Sequence, residues 1–94
     1  MAEIHNASIS ATDSSNWITG AEGMALYFKT VGPREFELQV FVRPTAIDVP
    51  GVVLDKHVFK NEVSKKIYAE GFDVKLKWVA RGDSGSSQVI VHLT

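Results

Sequence analysis

The sequence predicts an α+β fold: a four- or five-stranded antiparallel sheet with one helix packed across one face, in the order (β)ββαββ. Three observations predict it. Phe36-Glu37-Leu38-Gln39-Val40-Phe41-Val42 and Phe72-Asp73-Val74-Lys75-Leu76-Lys77-Trp78 both alternate apolar with polar residues, the period of a half-buried strand. Their polar faces differ in sign, with Glu35 and Glu37 on the first and Lys75, Lys77 and Arg81 on the second, so the two can pair through cross-strand ion contacts. Between them, Phe59, Val63 and Ile67 recur at i, i+4 and i+8, which reads as the apolar stripe of a helix over residues 55–70.

Taken in order, residues 1–16 offer Ile4 and Ile9 as anchors and read either as a loose arm or as a short edge strand around Ile4–Ser10. Asp13-Ser14-Ser15-Asn16 has loop composition, Trp17-Ile18 returns to the core, and Gly20 and Gly23 bracket a turn. Met24 to Val31 reads as a strand with Met24, Leu26 and Phe28 on one side. Gly32-Pro33 breaks it and Glu35 to Arg43 follows, a connection short enough to predict an antiparallel hairpin. Pro44 has no N–H for the ladder and ends that strand, leaving 45–51 as a loop.

The helix reading rests on more than its stripe. Asp55 suits the N-cap, and Leu54 with Phe59 suits a hydrophobic staple. Glu62 and Lys66 form an i, i+4 pair. Gly71 suits the left-handed position after a helix, with Phe72 folding back on Ile67. A competing strand pattern, Val52, Leu54, Lys56 and Val58, runs into the same region. Phe72 to Arg81 is then the basic strand, 82–87 a turn, and Gln88 to Thr94 a last strand with Val89, Val91 and Leu93 on one face.

A chain of 94 residues is one small domain, 1–94, and 45% hydrophobic with 22% charged residues is ordinary for a globular protein. The absence of cysteine excludes disulfides, thiolate metal sites and thiol nucleophiles. The first residues lack a basic stretch followed by an apolar run, and no apolar stretch approaches the ~20 residues that cross a bilayer. The expectation is a cytoplasmic protein without a membrane segment; a secreted form with its leader removed would read the same way. Net charge is −1, but residues 1–50 hold six acids against three bases and residues 55–81 seven bases against four acids. The halves neutralise each other within one domain.

Several motifs carry chemistry elsewhere. Gly82-Asp83-Ser84-Gly85 matches the nucleophile loop of chymotrypsin-like proteases, but 94 residues cannot build the two barrels that bring a His and an Asp to that serine. Arg81-Gly82-Asp83 is an integrin-recognised tripeptide at the start of a loop, and Asn6-Ala7-Ser8 is a formal glycosylation sequon. His5, His57 and His92 are scattered; a metal site would need two or three of them to converge with a carboxylate, and a cluster of His92 with Glu35 or Glu37 is the geometry the pattern allows. Those two glutamates, facing lysines, read as structural rather than catalytic.

These readings point to a non-catalytic module with no cofactor that acts through a protein partner or by self-association. The expected surfaces are the outer sheet face, where Phe41, Val79 and Ile90 would form an apolar patch beside His92, and the uncharged C-terminal strand, read as an open edge. The alternative is an anion or nucleic-acid site at Lys75, Lys77 and Arg81, with Tyr27 and Phe41 as stacking partners. The net charge of −1 and an isoelectric point near 6.3 argue against nucleic acid.

Overall fold

The computed structural model describes residues 2–57, 61–82 and 85–94. Among the described residues nine strands run in chain order: β1 (Ala2–Ile9), β2 (Asp13–Ser14), β3 (Ile18–Thr19), β4 (Met24–Val31), β5 (Glu35–Pro44), β6 (Val52–His57), β7 (Glu62–Ile67), β8 (Phe72–Arg81) and β9 (Ser87–Leu93). Sheet I has the order β1-β9-β4-β7; in sheet II, β8 lies between β5 and the pair β2 and β3, and β6 follows β5. Every pairing is antiparallel.

Successive strands mostly alternate between the sheets, and their partners are nested. With β2 and β3 counted as one interrupted strand, β5 pairs β6, β4 pairs β7, β2/β3 pairs β8 and β1 pairs β9. The chain is thus one long antiparallel ribbon rolled around a core, which is the jelly-roll arrangement. Both sheets turn their apolar face inward. Sheet I supplies Met24, Leu26, Phe28, Val63, Ile67, Val89, Val91 and Leu93, and sheet II supplies Phe36, Leu38, Val40, Val74, Leu76 and Trp78, all buried in one cluster. Each such side chain stabilises the fold by roughly 1.5–3 kcal/mol relative to leaving it in water. On the β1 side the sandwich is closed by His5, whose ring lies 5.1 Å from that of Trp78 and whose Nδ1 is 2.9 Å from the Val89 carbonyl oxygen.

The helix expected over 55–70 is not there, and the α+β class is corrected to all-β. Among the described residues there is no helix; 52–57 and 62–67 are strands, and Phe59, the expected staple and first stripe residue, lies outside the described residues. The reason is arithmetic. A spacing of four is one helical turn and also two strand repeats, so the Val63/Ile67 stripe fits both. Both residues are buried on β7, while Glu62 and Lys66, the expected helical ion pair, stand opposite Lys29 and Ala25 on β4. Asp55 caps nothing helical, and Phe72 stands opposite Pro44 rather than folding on Ile67. Gly71 does take a positive φ of 86°, in the turn between two strands.

A second correction concerns β4 and β5, which are not a hairpin. They belong to different sheets, and Gly32-Pro33-Arg34 arches across the end of the sandwich between them. Ser87 clamps the arch: its Oγ accepts the Arg34 N–H at 2.7 Å and donates to the Arg34 carbonyl at 2.8 Å. Gly32 adopts φ 134°, and a Cβ there would stand 2.7 Å from Ser87 Oγ. The expected partnership of the acidic and basic strands is present, with β5 and β8 paired over ten residues from Glu35↔Arg81 to Pro44↔Phe72.

Candidate interaction surface

Sequence and topology together set one end of sheet II apart. Among the described residues four edges are open to solvent: β1 and β7 of sheet I, the β2/β3 line and β6 of sheet II. An open edge invites foreign strands unless charge, shortness or a bulge blunts it. The β2/β3 line consists of two-residue pieces. β7 carries Glu62, Lys65 and Lys66, and β1 carries Glu3, His5, Asn6 and Ser8 with an irregularity between Glu3 and His5. β6 instead begins Val52-Val53-Leu54, with Val52 67% and Leu54 54% exposed.

A bulge explains why three successive apolar side chains can all face water. Val40 pairs Asp55 and Phe41 pairs Val53, so Leu54 is the extra residue and the alternation that would hide one of the three is broken. Flanking segments enlarge the patch. The loop between β5 and β6 exposes Ile47 and Val49, the β7–β8 connection exposes Tyr68 at 71%, and β8 begins with the exposed Phe72. The two connections touch, since the Thr45 N–H donates to the Gly71 carbonyl at 3.1 Å.

Next to the patch, between β6 of one sheet and β7 of the other, lies a cleft of about 320 Å³ floored by Val40 and Ile67 and walled by Leu54, Tyr68, Asp55, Lys65 and Lys66. Asp55 Oδ2 accepts the Lys65 ammonium and stands 3.1 Å from His57 Nε2. The Lys65 hydrogen bond is the main cause that lowers the Asp55 pKa; partial burial opposes it, and the charges of His57 and Lys65 and the Lys56 N–H add to the lowering.

The residues singled out from sequence do not form one surface. Phe41 and Val79 lie on the outer face of sheet II, opposite Lys75 and Glu37 of the neighbouring strand. Ile90 and His92 lie on the outer face of sheet I, opposite Asn6 and Glu3. Phe41 alone borders the apolar end, through Val53. The C-terminal strand β9 is interior, with β1 on one side and β4 on the other, so it offers no open edge. Four of the seven exposed apolar residues of the patch lie in the uncharged run from Val49 to Leu54, which the sequence presents as a loop leading into a helix; Ile47, Tyr68 and Phe72 lie outside that run.

The basic residues sit on the outer face of sheet II. Arg81 Nη2 donates to Glu37 Oε1 at 2.9 Å, and Glu37, only 3% exposed, is also bonded by Gln39. The Gln39 bond is the chief cause that lowers the Glu37 pKa, with burial opposing and Arg81 and Lys56 assisting. Lys77 stands opposite Gln39. Lys75 Nζ lies 5.7 Å from the Trp17 ring, which the Arg43 guanidinium covers at 4.3 Å. Arg43 in turn pairs with Asp73 at 3.2 Å.

The three histidines do not converge: His57 is with Asp55, His92 stands edge-on to Tyr27 at 6.1 Å on the face away from Glu35 and Glu37, and His5 is at the Trp78 edge. Among the described residues no group of three or more metal-ligating side chains stands together, and no helix is long and apolar enough to cross a membrane. Asp83 of the Arg-Gly-Asp tripeptide and Ser84 of the protease-like motif lie outside the described residues. Comparison with protein-family models, with curated proteins and with solved structures finds no match to this chain.

Proposed function

We propose that this chain is a non-catalytic protein-interaction or assembly module that binds through the apolar end formed by β6 and its flanking connections. The observation that carries the reading is the contrast between edges: three are short, charged or polar, and β6 exposes Val52, Val53 and Leu54 in a row. A patch of that kind exceeds the scattered apolar residues normal on a monomer's surface and is the usual mark of a binding face. The fold itself contributes nothing to the reading, since jelly rolls host unrelated functions. A photo-crosslinking side chain at Leu54 is expected to label a protein partner, and the same group at Ile90 is not. Equal labelling from the two positions, or none from Leu54, defeats the proposal.

One observation favours a second reading, an anion site on the outer face of sheet II. Lys75 lies beside Trp17, and an aromatic ring next to a cation suits a stacked, negatively charged ligand. Against it, Arg81 is engaged by Glu37 and Arg43 by Asp73. The reading requires oligonucleotide binding that weakens with salt and with Lys75→Ala and Lys77→Ala. No shift at low salt removes it.

A further inference from the structure

We infer that the partner seated on the apolar end is a second copy of this chain, docked patch to patch about a two-fold axis; the inference rests on the interaction reading above and names its partner. Area supports it. With exposures between 39% and 71%, the apolar residues of this end offer an area on the order of 600 Å² per copy, or about 1,200 Å² for two, the lower bound of stable protein interfaces before any polar rim is added. A two-fold contact must also be self-complementary, the same surface meeting itself. The rim meets that condition. Asp48, which lies 3.7 Å from Arg43, and Glu70 neighbour the patch in the chain on the loop side, and Lys56 and Lys66 on the strand side, all exposed and of both signs. Such a rim can set acid against base across a two-fold axis and carries no net field that selects a strongly charged foreign partner. The whole-chain charge of −1 adds little repulsion between copies.

The cleft beside Leu54 adds a place for an anchor. The apolar part of its lining, Leu54 and Tyr68 over Val40 and Ile67, accepts an apolar side chain from a facing surface, and the facing surface of a second copy is itself apolar. Tyr68, the most exposed large apolar residue of this end, is the side chain most able to reach it.

The test uses the full chain in sedimentation equilibrium from about 1 to 200 µM. The wild type is expected to form dimers in this range. The double variant Val52→Glu/Leu54→Glu is expected to weaken dimerisation at least ~100-fold, since it sets like charges in a desolvated contact, while far-UV circular dichroism stays unchanged. Because the chain has no cysteine, Leu54→Cys and Ile90→Cys can be compared with a short bis-maleimide; covalent dimers from Leu54→Cys alone support the contact independently of the charged variant. A dimer that survives Val52→Glu/Leu54→Glu overturns the inference, because it uses another surface. A wild type that stays monomeric throughout, while the photo-crosslinker at Leu54 labels a different protein, also overturns it and leaves the interaction reading standing. A monomer whose Leu54 labels nothing removes both.

Discussion

Lys65 of sheet I donates its ammonium to the Asp55 carboxylate of sheet II, tying together the two edge strands β7 and β6 at the open side of the sandwich. Among the described residues β6 pairs β5 only and β7 pairs β4 only, so this bond is a polar link between edges that share no ladder. Both side chains are about one third exposed, so water screens the pair and it contributes about 0.5–1 kcal/mol. Lys65→Met is expected to lower stability by that amount in urea unfolding, with the m-value unchanged. A loss above ~2 kcal/mol would show that the link is far less screened than its exposure implies.

The pH dependence follows from Asp55 and Glu37 together. Both have folded-state pKa values below those of ordinary carboxylates, Asp55 through Lys65 first and Glu37 through Gln39 first. A depressed folded pKa favours folding when the group is ionised, so the contribution is complete above the unfolded value of ~4 and is lost as pH falls through the folded value. Stability is therefore expected to stay level from neutral pH to about 5 and to decline below about 4. The double variant Glu37→Gln/Asp55→Asn should flatten that decline. Thermal melts at several pH values check this, and an undiminished acid decline in the double variant counts against it.

Arg81 stands in a different relation to its partner. Glu37 is nearly covered, whereas Arg81 is almost half exposed. Arg81→Ala leaves a covered carboxylate with one donor fewer and is expected to cost about 1 kcal/mol. Arg81→Ala in a Glu37→Gln background should cost about half as much or less. A double-mutant cycle in urea measures the difference as the coupling energy, and additive losses would show that the pair is not coupled.

Strand identity was legible in the sequence wherever the period of two was unambiguous, and strand partnership was legible only where charge added a second signal. Met24–Val31 reads as a strand with the observed ends, and the β5–β8 pairing follows from the opposite charge of Glu35 and Glu37 against Lys75, Lys77 and Arg81, of which Arg81 bonds Glu37 while Lys75 and Lys77 stand opposite Phe41 and Gln39. Two things were hidden. The β4–β5 arch looks like a hairpin because Gly32-Pro33 reports a chain reversal but not whether the reversed strand stays in its sheet. The arch is held by Ser87, more than fifty residues away in sequence, which bonds both the N–H and the carbonyl of Arg34. The apolar end was hidden for another reason: bulge formation at Leu54 depends on register against β5, which no local pattern encodes.

Two glycines in one connection predict opposite outcomes. A Cβ at Gly20 would stand 2.2 Å from the Ala69 carbonyl oxygen and 2.3 Å from that of Phe72, while one at Gly23 would meet nothing within 4 Å. Backbone oxygens cannot turn aside as a side chain can. The Gly20 N–H also donates to the Phe72 carbonyl at 2.8 Å, which holds the two segments together. Gly20→Ala is expected to cost about 3 kcal/mol or more. Gly23→Ala is expected to be neutral or to stabilise by up to ~1 kcal/mol by restricting the unfolded chain. Equal destabilisation by the two would mean that β3 and the β7–β8 turn do not approach as closely as the structure has them.

The replacement of helix by strand over 62–67 has a test of its own at Ser64. On β7 this residue is exposed and directly opposite Tyr27 of β4. A β-branched residue there fits the pleated surface and packs against the tyrosine ring, so Ser64→Thr is expected to stabilise the fold by about 0.5 kcal/mol. In a helix the same change would bring no such gain, because Thr and Ser have similar helix propensities and the branched side chain crowds the preceding turn. The stabilisation should also depend on Tyr27: in a Tyr27→Ala background Ser64→Thr should lose most of its effect, since the cross-strand contact is then absent. Urea unfolding of the four proteins of this cycle measures the coupling, and a value near zero would show that the side chains at 64 and 27 do not interact across the ladder.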